Sequence, residues 1–390
     1  MKKTLAILLF AAMVLSMAAC NNQQSNSGNT SQPSPSDDAP VLSAENIIVG
    51  FVHISDPSDM GYTYNHDLGT LAMQEALGLR DDQIINKYNT DEGAATETAI
   101  RELVEAGCNV IFATSFGFEE YLLIVAAEYP DVVFCHATGY QAASSGLPNV
   151  HNYFVAIYEA RFLAGIAAGL KTETDMLGYV AAFPFAEVIS GYTAFYLGAK
   201  SVNPSVTMEV MYTNSWHDPP REAQVTQALI DRGADVISQH SDSTAPATTA
   251  EANGVWQVGY NADMISAAPN ASLVSARANW GIYVTFVVEQ VLSGGPIPVD
   301  WCKGYEDGAV FLSPLNESIV APGTAEAIEA AAQGILSGAH VFAGPLTGEG
   351  VDWDGNPVYL DLADGEHFPE SEAQSAPSFN YIISGITVIG

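Results

Sequence analysis

The chain has 390 residues and sets 45 acidic against 12 basic side chains, a formal net charge of -33 at pH 7. So acidic a chain repels phosphate backbones and anionic lipid heads, which argues against nucleic acid as a partner. With the leader and tether set aside, about 350 residues remain, enough for two domains at ~100–200 residues each.

Lys2 and Lys3 give a short positive start, Leu5 to Met17 is nearly all apolar, and Leu15-Ser16-Met17-Ala18-Ala19-Cys20 closes the segment with small residues before a cysteine. That run is too short for a mature membrane span, and its flanks read as a cleaved export signal over residues 1–19. Cys20 then becomes the lipidated N-terminus, which anchors the chain to the extracytoplasmic face of a cell membrane. Residues 20–43 form the anchor and tether: Asn, Gln, Ser, Pro and Asp dominate, without the apolar surface that order requires. Three further cysteines, Cys108, Cys135 and Cys302, cannot pair completely and lack metal-ligand spacing. Cys108 and Cys135 flank apolar strands and read as buried thiols.

From Ile47 the chain alternates strand and helix patterns. Ile47 to Ile54 is a buried strand, followed by a polar loop and a helix through Leu68 to Leu77. Ile84 to Tyr88 is a second strand, and the helix from Ala94 to Ala106 stops at Gly107. Val110 to Ala113, a helix to Glu128 and Val132 to His136 complete this half. About 130 residues on, the order recurs with strands at Met176 to Ala182 and Val206 to Tyr212, a helix at Arg221 to Arg232, and Val236-Ile237 after Gly233. The phrase Gly107-Cys108-Asn109-Val110-Ile111 is echoed by Gly233-Ala234-Asp235-Val236-Ile237. Such alternation predicts an α/β fold of two doubly wound lobes with parallel sheets. The N-terminal lobe is assigned residues 44–157 plus 278–312, and the C-terminal lobe 158–277 plus 313–390.

Ligands of open parallel sheets sit beyond the carboxyl ends of the strands, so the loops after Ile54, Ala113, Ala182, Tyr212, Ser238 and Gly259 are expected to line a cleft. Nearly all of them set an aromatic beside a hydrogen-bonding side chain. Tyr62, Tyr64, Phe116, Phe183 and Trp216 are the candidate walls; Glu187, His240, Asp242, Asn261 and Asp263 are the candidate polar contacts, with Thr63, Gly117 and Trp280 in the same segments. Flat faces stack on a planar guest while carboxylates, amides and imidazoles fix its edge. Taken singly, each aromatic could equally be core packing beneath its loop. His66-Asp67 is explained by a polar helix start, and no closed metal-ligand set, phosphate loop or nucleophile elbow is present. No cofactor or catalytic residue is assigned.

The run Gly61-Tyr62-Thr63-Tyr64-Asn65-His66-Asp67-Leu68-Gly69 resembles the GWTYxHDxG loop of one branch of the basic membrane protein (BMP) family, with Tyr62 in the Trp position. Thr114-Ser115-Phe116-Gly117, His136 to Tyr140, Arg161 to Gly165, Gly178 to Pro184, Leu197 to Pro204, Asp231 to Asp242, Asn279-Trp280-Gly281 and Tyr381 to Gly385 follow in the family's order. The resemblance implies a type I periplasmic-binding fold, two Rossmann-like lobes around a central cleft. It also implies a substrate-binding lipoprotein of an ABC importer, related to purine nucleoside receptors and working with an ABC permease. Tyr62, Thr63 and Tyr64 fall in the family's stacking and edge-recognising segment. Asn261 and Asp263 fall where nucleoside receptors hold the ribose, and Asn261 in place of an acid favours a free base. A purine base or nucleoside is thus the expected guest, with a flavin, an autoinducer-like furanose, or a surface nucleoside hydrolase as competing expectations.

Overall fold

The computed structural model describes residues 41–352 and 355–390. The expected export signal, Cys20 and the tether up to residue 40 lie outside the described residues.

The first half lays down β1 (Val49–Val52), α1 (Tyr62–Leu77), β2 (Ile84–Lys87), α2 (Ala94–Glu105), β3 (Val110–Ala113), α3 (Glu119–Glu128), β4 (Val133–Ala137), α4 (Ala142–Ser145) and β5 (Val150–Val155). These strands pair in parallel in the spatial order β2-β1-β3-β4-β5, with Val49 beside Ile84 on one edge and Val110 on the other. All four residues of β1 and of β3 are buried, as a sheet covered on both faces requires. The chain then enters α5 (Ile157–Lys171), β6 (Met176–Ala181), α6 (Ala186–Val202), β7 (Thr207–Tyr212), α7 (Pro219–Asp231), β8 (Val236–His240), α8 (Ala245–Asn253), β9 (Trp256–Tyr260) and β10 (Ser272–Ala278). The second sheet repeats the first in the order β7-β6-β8-β9-β10. The echo between Gly107 and Gly233 marks equivalent helix-to-strand corners of two lobes with one topology.

The chain crosses back after Ala278, so that α9 (Gly281–Ser293) packs on α1 and β11 (Asp300–Lys303) extends the first sheet beside β5. β12 (Val310–Leu312) then pairs antiparallel with β10, so residues 310–312, expected in the first lobe, close the second sheet instead. Val310 is buried there, and Ser313 fixes the corner through its Oγ, which accepts from the Ser275 N–H at 2.9 Å. α10 (Thr324–Leu336) lies against α5. A C-terminal arm follows: β13 (Leu346–Val351), β14 (Pro357–Leu362) and β15 (Tyr381–Ile383) form a small antiparallel sheet, and β16 (Ile386–Ile389) adds a parallel edge strand beside β7.

Two local features position the cleft. Helix α1 begins six residues before the expected Leu68, because Asp59 caps it. Asp59 Oδ1 accepts from the N–H groups of Gly61 and Tyr64 at 2.8 and 3.0 Å, and Oδ2 accepts from Thr63 at 3.0 Å. The donors that a helix start leaves open are thereby satisfied. In the second lobe, α5 and α6 cross at very close range. A Cβ at Gly198 would lie 1.9 Å from the Phe162 carbonyl oxygen, and one at Gly165 would lie 2.0 Å from that of Phe195. Only glycine permits this approach, which holds both helices against the floor of the cleft. Cys108 and Cys135 are buried free thiols, and Cys302 is free and partly buried.

Candidate functional site

A cavity lies between the lobes where the strand ends meet. The first lobe supplies Ile54 after β1, Tyr62 at the start of α1, Thr114, Ser115 and Phe116 after β3, and Thr138 after β4. The second supplies Glu187 from the first turn of α6, Trp216 after β7, His240 at the end of β8, Asp242 just beyond it, and Tyr260 at the end of β9. The space left free between these side chains is small, about 20 Å³. Phe116 meets Phe185 across the mouth at 5.2 Å between ring centroids, and beyond them a wider groove runs toward the arm.

The lobes are shut in this structure. The N–H of Tyr62 donates to Asp242 Oδ1 at 3.1 Å, so the N-terminal end of α1 in one lobe meets a carboxylate of the other. A Cβ at Gly61 would stand 2.7 Å from Asp242 Cα, so this approach depends on glycine. Asp242 is itself held by its N–H donating to the Trp216 carbonyl at 2.8 Å and by Asn261 Nδ2, 3.3 Å from Oδ1.

The polar floor is electrostatically unusual. Burial drives Asp242 well above its ordinary range, and Asp59 and Glu222 push the same way. Burial raises Glu187 to about 7, opposed by the Arg161 guanidinium. His240 is pushed well below its usual value by burial and then by Arg161, so it is a neutral imidazole, with Nε2 3.4 Å from Glu187 Oε1. Arg161, 1 % exposed, donates from Nη1 to the Gln239 carbonyl at 2.6 Å and lies 3.7 Å over the Tyr260 ring. The cavity thus offers aromatic faces, one cation–π-backed tyrosine, and two buried carboxyl groups held above their ordinary range.

Of the residues expected from sequence, Tyr62, Phe116, Glu187, Trp216, His240 and Asp242 come together on this cavity. The others do not line it. Thr63 is 1 % exposed and turned into the lobe by the early helix start. Tyr64 packs with Met60 against Ala262, Met264 and Ala268, a lobe-to-lobe contact. Gly117 donates its N–H to Glu92 at 2.9 Å. Phe183 stacks on Phe185 and meets Trp216 edge-on, outside the cavity. Asn261 supports Asp242, and Asp263 caps the turn Met264–Ser266 by accepting from the Ile265 N–H at 3.1 Å. Trp280 is a correction of a different kind. It is 1 % exposed, stacked on His66 at 4.3 Å and set edge-on to Tyr153, so it belongs to the core under α1.

Sequence reasoning missed Thr138, whose loop was not among those expected, and did not single out Tyr260 from the loop after Gly259. It also passed over Arg161, although a lone arginine inside the apolar helix Ile157–Lys171 is a usable signal of a paired buried charge.

Residues 47–336 match the ABC transporter substrate-binding protein PnrA-like family. The chain belongs to that family. It is 35% identical over 347 residues to a purine-binding protein of Brucella abortus, covering 88% of this chain and 93% of that one. It is also 35% identical over 275 residues to a putative ABC transporter glucose-binding protein of Haloferax volcanii, covering 70% and 68%. A solved solute-binding protein of an ABC transporter system from Aeropyrum pernix superposes with a TM-score of 0.64 at 18% identity, covering 75% of this chain and 92% of that one, which shows a shared fold. The protein is thus a substrate-binding component of an ABC transporter with two parallel-sheet α/β lobes. Among the described residues, no helix is long and apolar enough to cross a membrane.

Proposed function

We propose that this family member is anchored through Cys20 on the extracytoplasmic face of the membrane, captures a purine base or nucleoside between its lobes, and hands it to an ABC permease. The observation that carries the ligand class is the cavity. Tyr62, Phe116, Trp216 and Tyr260 offer ring faces, while Glu187, Asp242 and neutral His240 offer edge-directed donors and acceptors. A purine presents that combination, a flat π surface edged alternately by ring nitrogens and N–H groups. The purine-binding relative from Brucella abortus supports the same reading.

The name of the Haloferax relative favours a sugar, and a thermal-shift panel of bases, nucleosides, flavins, glucose and furanoses separates the two readings. The largest stabilisation is expected from a purine base or nucleoside, and a shift confined to sugars or flavins would overturn the proposal. Trp216→Ala should weaken purine binding by ~1–3 kcal/mol, the range for loss of a stacked aromatic. Isothermal calorimetry measures it, and unchanged affinity would remove Trp216 from the site.

The buried Glu187 gives the closed form a pH signature. Its carboxyl moves from an ordinary 4.5 to about 7 on burial, so closing takes up a proton between those values. The stabilisation of the closed form by this group is complete below about pH 4.5 and is lost as pH rises through about 7. Affinity for a purine whose ring nitrogen accepts from the protonated carboxyl should therefore fall across that window and level off above it. Calorimetry in buffers of different ionisation enthalpy should show proton uptake between about pH 4.5 and 7, and Glu187→Gln should abolish both effects. An affinity that climbs with pH would show that ionised Glu187 is the binding form.

A further inference from the structure

The C-terminal arm lies beyond residue 336, where the matched family region ends, and it ties the lobes together. Glu370, 5 % exposed, accepts from Ser190 Oγ of α6 at 2.7 Å and from the N–H groups of Ser378 and Phe379 at 3.0 and 2.9 Å. Five residues further on, Ser375 donates its N–H to Asp300 of β11, in the other lobe, at 2.7 Å. The segment carrying these contacts is positioned by a short backbone ladder: Phe368 N–H donates to the Phe342 carbonyl at 3.0 Å and Gly344 N–H to that of Glu366 at 2.8 Å.

That ladder brings the arm's two histidines face to face. The rings of His340 and His367 are 3.5 Å apart between centroids and 4° from parallel, and His367 Nε2 lies 3.0 Å from Glu372 Oε1. One possible ligand atom from each of His340, His367 and Glu372 lies within 4.8 Å of the other two, the one such group among the described residues. Of the chain's eight histidines, five others are buried in the lobes, and His217 bonds the Asp242 carbonyl. These two, 27 positions apart in the chain, are thus the pair that folding delivers to an accessible face.

We propose that His340, His367 and Glu372 bind one divalent transition-metal ion of the zinc type, fastening the arm across the lobes. Two imidazoles and one carboxylate form a borderline nitrogen-and-oxygen donor set that suits zinc, whereas calcium and magnesium take oxygen ligands. Tetrahedral bonds of ~2.1 Å place ligand atoms about 3.4 Å apart. His340 and Glu372 are exposed, so small side-chain rotations bring their atoms to that spacing, with water free to take the fourth position. The strongly acidic chain concentrates cations at its surface. Because Glu370 lies between His367 and Glu372, the ion would fix the stretch of chain that grips α6. It would thereby link metal occupancy to the rigidity of the strap.

The test uses the full protein stripped with EDTA and dialysed, titrated with Zn²⁺ by calorimetry near neutral pH. One saturable site per chain is expected, undisturbed by equal Ca²⁺ or Mg²⁺. His340→Ala and His367→Ala should each weaken it at least about ten-fold, and Co²⁺ should give the visible bands of a low-symmetry site. Limited proteolysis of the arm should slow with Zn²⁺ in the wild type and not in the variants. Circular dichroism in EDTA checks that the variants fold. Zinc binding that survives in the His340→Ala/His367→Ala double variant, or no saturable binding at all, overturns the proposal. No readout involves purine, so a failure here leaves the transport reading standing.

Discussion

Gly61→Ala should abolish high-affinity binding while leaving the unliganded protein as stable as the wild type. The added methyl would stand 2.7 Å from Asp242 Cα and 2.9 Å from its carbonyl carbon, against main chain of the opposite lobe. Main-chain atoms cannot turn aside as a side-chain tip can, so the lobes must stop short of the closed position. With the lobes parted, the same methyl no longer reaches Asp242. Closure is driven only by contacts that exist when shut, so a variant held ajar loses the Asp242–Tyr62 hydrogen bond and one wall of the cavity together. The loss should exceed about 100-fold, corresponding to about 3 kcal/mol of closed-state contacts. Calorimetry gives the affinity, and small-angle scattering should show ligand-induced compaction in the wild type and none in the variant. Gly117→Ala is the control, because its methyl meets the Glu92 side chain within one lobe, where a change acts on stability rather than closure. Wild-type affinity in Gly61→Ala would mean that the bound state is less closed than the one described.

The cleft was legible in the sequence to the extent that topology dictates it. Alternating strands and helices fix where strand ends gather, and residues immediately after those ends, such as Phe116, Trp216 and Asp242, were found for that reason. Errors arose where a local hydrogen bond changed which way a segment faced. The Asp59 cap turns an expected loop into the first turns of α1, and a helix points Tyr62 at the cleft while burying Thr63. Trp280 is an aromatic like those that line the cavity, but its crossing segment packs under α1, a tertiary fact with no local signature. Asn261 and Asp263 occupy the expected loop and spend their side chains on the loop itself. The arm's contacts were not legible for a related reason: residues 337–390 lack the α/β alternation that organised everything before them, and their partners, Ser190 and Asp300, are far away in sequence.

Removing the Asp242 carboxylate should separate binding from stability. In the closed form this group accepts from Tyr62 N–H across the cleft, yet it is buried near Asp59 and Glu222, both of which make its ionisation harder. A buried carboxyl in that setting is costly to its own lobe and useful only when the other lobe arrives. Asp242→Ala therefore loses the cross-cleft acceptor, leaves the Tyr62 N–H and Asn261 Nδ2 short of a partner, and removes an edge contact for the guest. A buried donor left without its acceptor costs about 1–3 kcal/mol, and two donors are left so here, so purine affinity should fall by about 100-fold. The melting temperature of the unliganded variant should stay level or rise, since a repulsive group has left the cluster around Glu222. Asp242→Asn keeps an oxygen for the Tyr62 N–H and cannot ionise, and should recover a large part of the affinity. Calorimetry paired with differential scanning calorimetry reads both axes. A variant that binds normally but melts early would reverse the assignment, making Asp242 a strut of the second lobe rather than the hook on which the first one catches.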